Sequence, residues 1–276
     1  MRFAVIGDRG MFGKEMTTFL QDNNHEVTGF NRNSVNLDDS VDAISQALDG
    51  FSVIINAVAY TAVDKAESEP SLANLVNGEY AGKLADVSKK VGAALMHIST
   101  DYVFDGNSEK PYSTEDAVNP QSVYGRSKLL GENLVAHSGA NYTIFRTAWL
   151  YGKHGRCFPK VMFEKAARKE PLRVVDDQFG QPTWTKDLAD QVLSFSSLPK
   201  SPNIVHAVSS GRGSWYEFAK EVLGDYSVEP VSSAEFVTAA SRPKFSVLDN
   251  KSSLVTPIGD WRDRWLVAKK EALEGI

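Results

Sequence analysis

Arg2-Phe3-Ala4-Val5-Ile6-Gly7-Asp8-Arg9-Gly10-Met11-Phe12-Gly13 opens the chain, and the order of residue types in it decides the fold. Residues 2–6 form a short apolar run that breaks at Gly7, and helical spacing follows from about Met11 to Gln21. A strand, a glycine-rich turn and a helix in that order make the first unit of a doubly wound sheet. Glycine there permits a tight turn and lets backbone approach a pyrophosphate, which then rests on the amides of the helix N-terminus. Gly7, Gly10, Met11, Phe12 and Gly13 are therefore candidate cofactor contacts. The spacing is GxxGxxG, not the commoner GxGxxG, so the loop by itself also reads as an ordinary turn between strand and helix.

Outward from this unit, the pattern repeats. His25 to Phe30 reads as a strand, Asp39 to Leu48 as a helix and Val53 to Ile55 as a third strand. One long helix is expected from Leu72 to Val91, a strand at 94–98, and a polar loop from 105 to 121. A helix carrying Tyr124 and a strand from Tyr142 to Phe145 complete the series. Strands alternating with helices predict an α/β chain with a Rossmann-type doubly wound parallel sheet.

After about residue 150 the alternation loosens. Helices are expected at 158–169, 187–195 and 215–223, with short strands at 172–174 and 203–207, and Pro199, Pro202, Pro230 and Pro243 interrupt the region. The expected division is residues 1–150 as an NADP-binding domain and residues 151–276 as a smaller α/β substrate lobe. A helix at about 186–197 is expected to return to the first domain.

Composition narrows the functional class. A net charge of −5 and a pI near 5.6 argue against nucleic acid or an anionic membrane as the main partner. Cys157 is the only cysteine, which excludes an intramolecular disulfide and fits a reducing cytoplasm. The five histidines are scattered without metal-ligand spacing, so no zinc site is expected. No apolar run reaches the length of a membrane span.

Ser99-Thr100-Asp101-Tyr102 falls at the carboxyl end of the fourth strand, where open α/β sheets bind ligands. Tyr124 and Lys128 are four residues apart, so a helix places both on one face. There the ammonium is expected to lower the phenol's pKa, and Thr100 to join it at a carbonyl, protonating an oxygen while hydride arrives at carbon. This predicts a nicotinamide-dependent carbonyl reductase. The second strand ends in Phe30-Asn31-Arg32, without the carboxylate of NAD-specific folds and with a guanidinium suited to a 2′-phosphate. Asn31 and Arg32 thus favour NADPH, with NADH as the alternative and a solvated Arg32 as the plain reading. Asn36 and Leu37 are placed beside the adenine. Small residues in Asn56-Ala57-Val58-Ala59-Tyr60-Thr61 would let backbone lie against the cofactor.

Taken together, GxxGxxG, NAVAYTAVDKAE (56–67), STDYVFDG (99–106), YGRSK (124–128) and FRTAWLYG (145–152) resemble the extended short-chain dehydrogenases/reductases. Within that group they resemble the dTDP-4-dehydrorhamnose reductase family. The resemblance covers residues 1 to about 184 and returns at Arg242-Pro243 and Ser246-Val247-Leu248-Asp249. It implies reduction of the 4-keto group of dTDP-4-dehydro-L-rhamnose, with Thr100, Tyr124 and Lys128 as the catalytic trio. It places Gly10, Met11 and Phe12 at the phosphate loop and Ala59, Tyr60 and Thr61 at a cofactor-contacting turn. Val63, Asp101, Tyr102 and Trp149 would line the sugar pocket, while Arg242 reads either as a partner of a diphosphate oxygen or as a solvated surface residue. Phe245 stands where the family pattern implies Asn. A homodimer is left open.

Three other readings compete. A 4,6-dehydratase of this fold would carry an acid where Tyr102 stands, and an epimerase that retains NAD has no use for an exchangeable phosphorylated cofactor. A non-catalytic protein similar to the regulatory subunit of methionine adenosyltransferase would share the fold without turnover.

Overall fold

Phe3 to Ile6, Val53 to Ile55 and Leu95 to Met96 are apolar and almost without exposure, as expected of parallel strands covered on both faces. In the computed structural model, which describes residues 1–199, 201–252 and 254–274, these runs are the centre of one sheet. In chain order, β1 (Arg2–Ile6), α1 (Met11–Asp22), β2 (Glu26–Phe30), α2 (Val41–Ala47) and β3 (Val53–Asn56) come first. Next are α3 (Val63–Ala66), α4 (Pro70–Asn74), α5 (Tyr80–Val91), β4 (Ala94–Thr100), α6 (Val123–His137) and β5 (Asn141–Thr147). The remainder comprises β6 (Leu150–Tyr151), α7 (Phe158–Ala167), β7 (Leu172–Val175), β8 (Phe179–Gly180), β9 (Thr183–Trp184) and α8 (Thr185–Ser196). It ends with β10 (Ile204–His206), β11 (Gly213–Ser214), α9 (Trp215–Leu223), β12 (Val228–Val231) and α10 (Trp261–Ala272).

Six parallel strands form the main sheet in the order β10-β5-β4-β3-β1-β2. The order reverses between β1 and β3, and a crevice for a ligand opens at such a point. Ala4, Ile6, Ile54 and Leu95 face α2, α5 and α6 through Ile44, Leu48, Leu84 and Val135. Phe3, Val5, Val53 and Ile55 face the other way, onto Phe12, Met16 and Leu20 of α1 and Leu188, Val192 and Phe195 of α8. Strand β10, drawn from beyond residue 200, is the sixth strand of this sheet. A separate aromatic core joins Met162, Tyr151, Phe218, Trp261 and Trp265. Among the described residues no helix is long and apolar enough to cross a membrane.

Several local expectations change. Strand β4 runs two residues past Ile98, to Thr100. The single helix expected over 72–91 is α4 and α5 with a π-helical turn, Leu75–Glu79, between them. Asn77, in the middle of that turn, is 1% exposed and spends its side-chain amide on groups outside the helix. Helix α10 and strand β12 have no counterpart in the sequence reading; Trp261, Trp265, Ala268 and Ala272 recur at helical spacing and are all buried.

Under the end of β4 lies a buried ion pair. Arg146 and Glu132 are each 3% exposed and meet at 2.7 Å, with a second contact from Arg146 Nε at 3.0 Å. The Ser99 hydroxyl donates to the same carboxylate at 2.5 Å. Breaking such a pair leaves an uncompensated buried charge. Arg146→Met is expected to lower the unfolding free energy by about 3–5 kcal/mol in urea denaturation. Adding Glu132→Leu should recover most of the loss, because no charge is then stranded.

Candidate active site

The crevice is built first by glycine. Gly7 sits at φ +91°, and its amide donates to the Phe30 carbonyl at 2.7 Å. A Cβ on Gly13 would lie 2.1 Å from the Gly7 oxygen, so only glycine lets α1 close onto the loop. Gly10 caps α1 without a side-chain hydrogen bond, leaving the first amides of the helix to an anion. Phe12 is 6% exposed and belongs to the core, so it offers backbone only.

A cleft of about 420 Å³ opens beside this loop. Gly7, Gly10, Asn31, Arg32, Asn36, Leu37 and Ala59 line it, as the sequence reading expects, and Val35, Asp38, Val76 and Tyr80 are among the other residues that do. Asp38 matters most among the unforeseen residues. It accepts from Arg32 Nη2 at 3.3 Å and from the Tyr80 hydroxyl. The Tyr80 hydrogen bond, aided by Arg32, holds the Asp38 carboxyl below its ordinary range, while burial and Asp38 push Tyr80 up to about 12. A carboxylate thus stands at the cleft although none ends β2.

The turn at Ala59, Tyr60 and Thr61 is held by Asn77. Its Oδ1 accepts from the Tyr60 amide at 2.8 Å, and its Nδ2 donates to the Tyr60 carbonyl at 3.0 Å and to Ser127 Oγ at 2.9 Å. One buried amide therefore ties the turn to the helix residue preceding Lys128. An Asn-Gly pair inside a helical run was its only signal in the sequence.

Thr100, Asp101, Tyr102, Tyr124 and Lys128 converge at the end of β4. Ser122 caps α6 by accepting from the Gly125 amide at 3.1 Å. A Cβ on Gly125 would stand 2.3 Å from the Tyr102 carbonyl, so glycine here brings α6 against residue 102. The Tyr124 ring meets Tyr102 edge to face at 5.4 Å. Lys128 is 1% exposed, and its ammonium donates to the Ile98 carbonyl at 2.6 Å. Burial pushes it down to about 8, with Glu132 pulling the other way.

The expected lowering of Tyr124 by Lys128 is not found. Burial pushes the phenol up to about 12, Asp101 adds to this, and the lowering influence is the Thr100 hydroxyl. The Lys128 ammonium is aimed at backbone, not at the phenol oxygen.

The remaining candidates are held by partners of their own. Trp149 adopts φ +45°, an unusual conformation for a bulky residue, and stacks on Trp215 at 3.5 Å with 7° between planes. Val63 begins α3, next to Asp64. Arg242 is engaged by Asp64 in a two-pronged ion pair, at 3.0 and 2.7 Å, instead of pointing free toward a phosphate. Phe245, 8% exposed, packs in a cluster with Phe104 and Val247.

Residues 1–273 match the family model described as RmlD substrate binding domain. The chain belongs to this family. A dTDP-4-dehydrorhamnose reductase of Streptomyces griseus is 38% identical over 276 residues, 95% of this chain and 90% of that protein. A protein of Streptomyces antibioticus named as a dTDP-4,6-dihydroxy-2-methyloxan-3-one 4-ketoreductase is 37% identical over 287 residues, 100% of this chain and 96% of its own. The solved structure of the dTDP-4-dehydrorhamnose reductase from Bacillus anthracis in complex with NADP superimposes with a TM-score of 0.91 at 32% identity, covering 96% of this chain and 98% of that one.

Buried Lys128 has a consequence that can be measured without any ligand. Its folded pKa lies below the unfolded value, so between about pH 8 and about pH 10 the unfolded chain binds more protons and stability rises with pH. Urea denaturation across this window should show wild type gaining on Lys128→Met as pH rises; parallel curves would contradict the assignment.

Proposed function

We propose that the chain is an NADPH-dependent reductase of the 4-keto group of a dTDP-activated deoxysugar, with dTDP-4-dehydro-L-rhamnose as first candidate. One observation carries the reading: Thr100, Tyr124 and Lys128 converge at the carboxyl end of β4, in the sheet whose β1 end carries the glycine-built cleft. The family relatives named for 4-keto reduction support it. Residues 1–150, joined by α8 and β10, form the cofactor half in this reading, and the rest of 151–276 forms the substrate lobe. The lone buried cysteine fits work in a reducing cytoplasm.

The glycine loop and the open first turn of α1 suit a diphosphate, and Arg32 at the cleft suits a 2′-phosphate. When bound, the nicotinamide supplies the hydride. Lys128 orients the adjacent ribose, and Tyr124 delivers a proton to the developing alkoxide. Thr100 donates a hydrogen bond to the carbonyl oxygen. A phenol raised by burial keeps its proton at neutral pH and gives it up only as negative charge builds on the substrate oxygen. Tyr102 and Trp149 face the sugar, with Val63 beside them. Arg242 reaches the diphosphate by leaving Asp64. Tyr102, in place of an acid, gives no means of expelling a 6-hydroxyl, which separates this site from a dehydratase.

The protein should consume NADPH, followed by the absorbance of the reduced nicotinamide, with enzymatically prepared dTDP-4-keto-6-deoxysugars. Both keto-sugar types named by the relatives belong in the panel. Tyr124→Phe should lower kcat by about 10²–10⁴-fold while NADPH still binds, and Arg32→Ala should raise KM for NADPH but not for NADH. A wild type that oxidises NADPH with none of these sugars would refute the proposal.

A further inference from the structure

The hydroxyl of Thr100 has one proton, and in this structure that proton is directed away from any substrate. Thr100 Oγ1 donates to Asp101 Oδ1 at 2.9 Å and accepts from the Tyr102 amide at 3.3 Å. Asp101 is 2% exposed, and the hydroxyls of Thr100 and Ser246 stand beside its buried carboxyl. An ionised carboxylate only accepts, so it must draw the Thr100 proton to itself; a protonated one has an O–H to donate. From this geometry we infer that Asp101 is a positioning residue acting through Thr100. With Asp101 protonated, the acid donates to Thr100 Oγ1 and the Thr100 hydroxyl turns its proton to the substrate carbonyl. With Asp101 ionised, Thr100 stays bonded to the carboxylate and the carbonyl loses that donor. The inference rests on the reductase reading of this same site.

The surroundings favour such a role. Charged and titratable groups near Asp101 are few: Tyr102 next to it, Tyr124 across from α6, and Arg242 and Asp64 on the far side of Tyr102. Among the described residues no cation pairs with Asp101, and Lys128 spends its ammonium on Ile98. Burial pushes the Asp101 carboxyl up to about 6, against the lowering pull of the Ser246 and Thr100 hydroxyls. Tyr124, at about 12, does not titrate near neutrality. Lys128 titrates on the alkaline side, at about 8. No net proton is consumed by the rearrangement itself: the same two protons are present on Asp101 and Thr100 before and after the hydroxyl turns, and the proton delivered to the alkoxide remains that of Tyr124.

The sign of the pH effect follows. Asp101 is protonated below about pH 6 and loses its proton above it, so the donor to the carbonyl is present on the acid side and lost on the alkaline side. Losing one such donor costs about 10²–10³ in rate. The single-turnover rate of NADPH oxidation should therefore fall as pH rises through about 6, toward the rate of Thr100→Val. Asp101→Asn keeps a neutral side chain whose Nδ2 can donate to Thr100 Oγ1. Its rate should be flat across that limb and exceed wild type on the alkaline side. Thr100→Val should also lack the limb, because the group through which Asp101 acts is gone.

Infrared difference titration supplies a second readout that needs no turnover. A carboxylic acid band should titrate near 6 in wild type, vanish in Asp101→Asn and shift its midpoint upward in Thr100→Val, which removes a hydrogen bond to the ionised form. A limb that persists in either variant overturns the inference, as does an Asp101→Asn protein that binds NADPH but is slow at every pH. If Asp101→Asn does not fold, Thr100→Val decides by the same two readouts. If wild type reduces no keto-sugar, the reductase reading fails, and an unshifted infrared midpoint in Thr100→Val would separately refute the coupling of the two side chains.

Discussion

The close seating of α6 is the constraint on which the site depends. A Cβ on Gly125 would lie 2.3 Å from the Tyr102 carbonyl, and one on Gly131 would lie 2.2 Å from the Asn77 carbonyl. Both contacts are backbone against backbone, where nothing can yield cheaply. Helix α6 is thus held against the end of β4 at one point and against the π-helical turn at another, which fixes where Tyr124 and Lys128 stand. The buried Glu132–Arg146 pair then joins the lower half of the same helix to β5. Steric fit sets the distance, and charge pins the register.

Electrostatics in this corner runs differently from a simple cation-and-phenol picture. Lys128 is buried and gives its ammonium to a backbone carbonyl, while Tyr124 feels mainly desolvation, Thr100 and Asp101. A phenol and a carboxyl, both raised by burial, share the same hydroxyl in surroundings where their charged forms are costly. The polar chain at the end of β4 is therefore poised by lack of water more than by an opposing charge.

Much of this was legible from residue order. The glycine spacing after β1, the apolar runs and the Tyr-x-x-x-Lys placement all depend on local rules, and the sheet and the β4 cluster follow from them. Asp38 was not legible, because it reaches the cleft from a loop whose path is set by its bonds to Arg32 and Tyr80. Asn77 was hidden for a similar reason: its partners, Tyr60 and Ser127, lie 17 and 50 residues away. The Arg242–Asp64 pair was not legible, since nothing in a sequence announces that Asp64, 178 residues distant, would meet its guanidinium. Helix α10 carried a readable apolar stripe, and only its place against α9 required coordinates.

The Arg242–Asp64 pair also bears on how the molecule comes into being. A chain made from its N-terminus can assemble β1 to β5 from segments already released, since most of those pairings join near neighbours in sequence. The wall carrying Arg242 arrives only after nearly the whole polypeptide has emerged, and its closure spans 178 residues. Thr185, which donates to Glu15 at 3.1 Å across 170 residues, imposes a comparable delay on α8. Contacts of such range form late and slow the folding of the whole. In a chain emerging from its N-terminus, the contact between Arg242 and Asp64 is therefore among the last that can form.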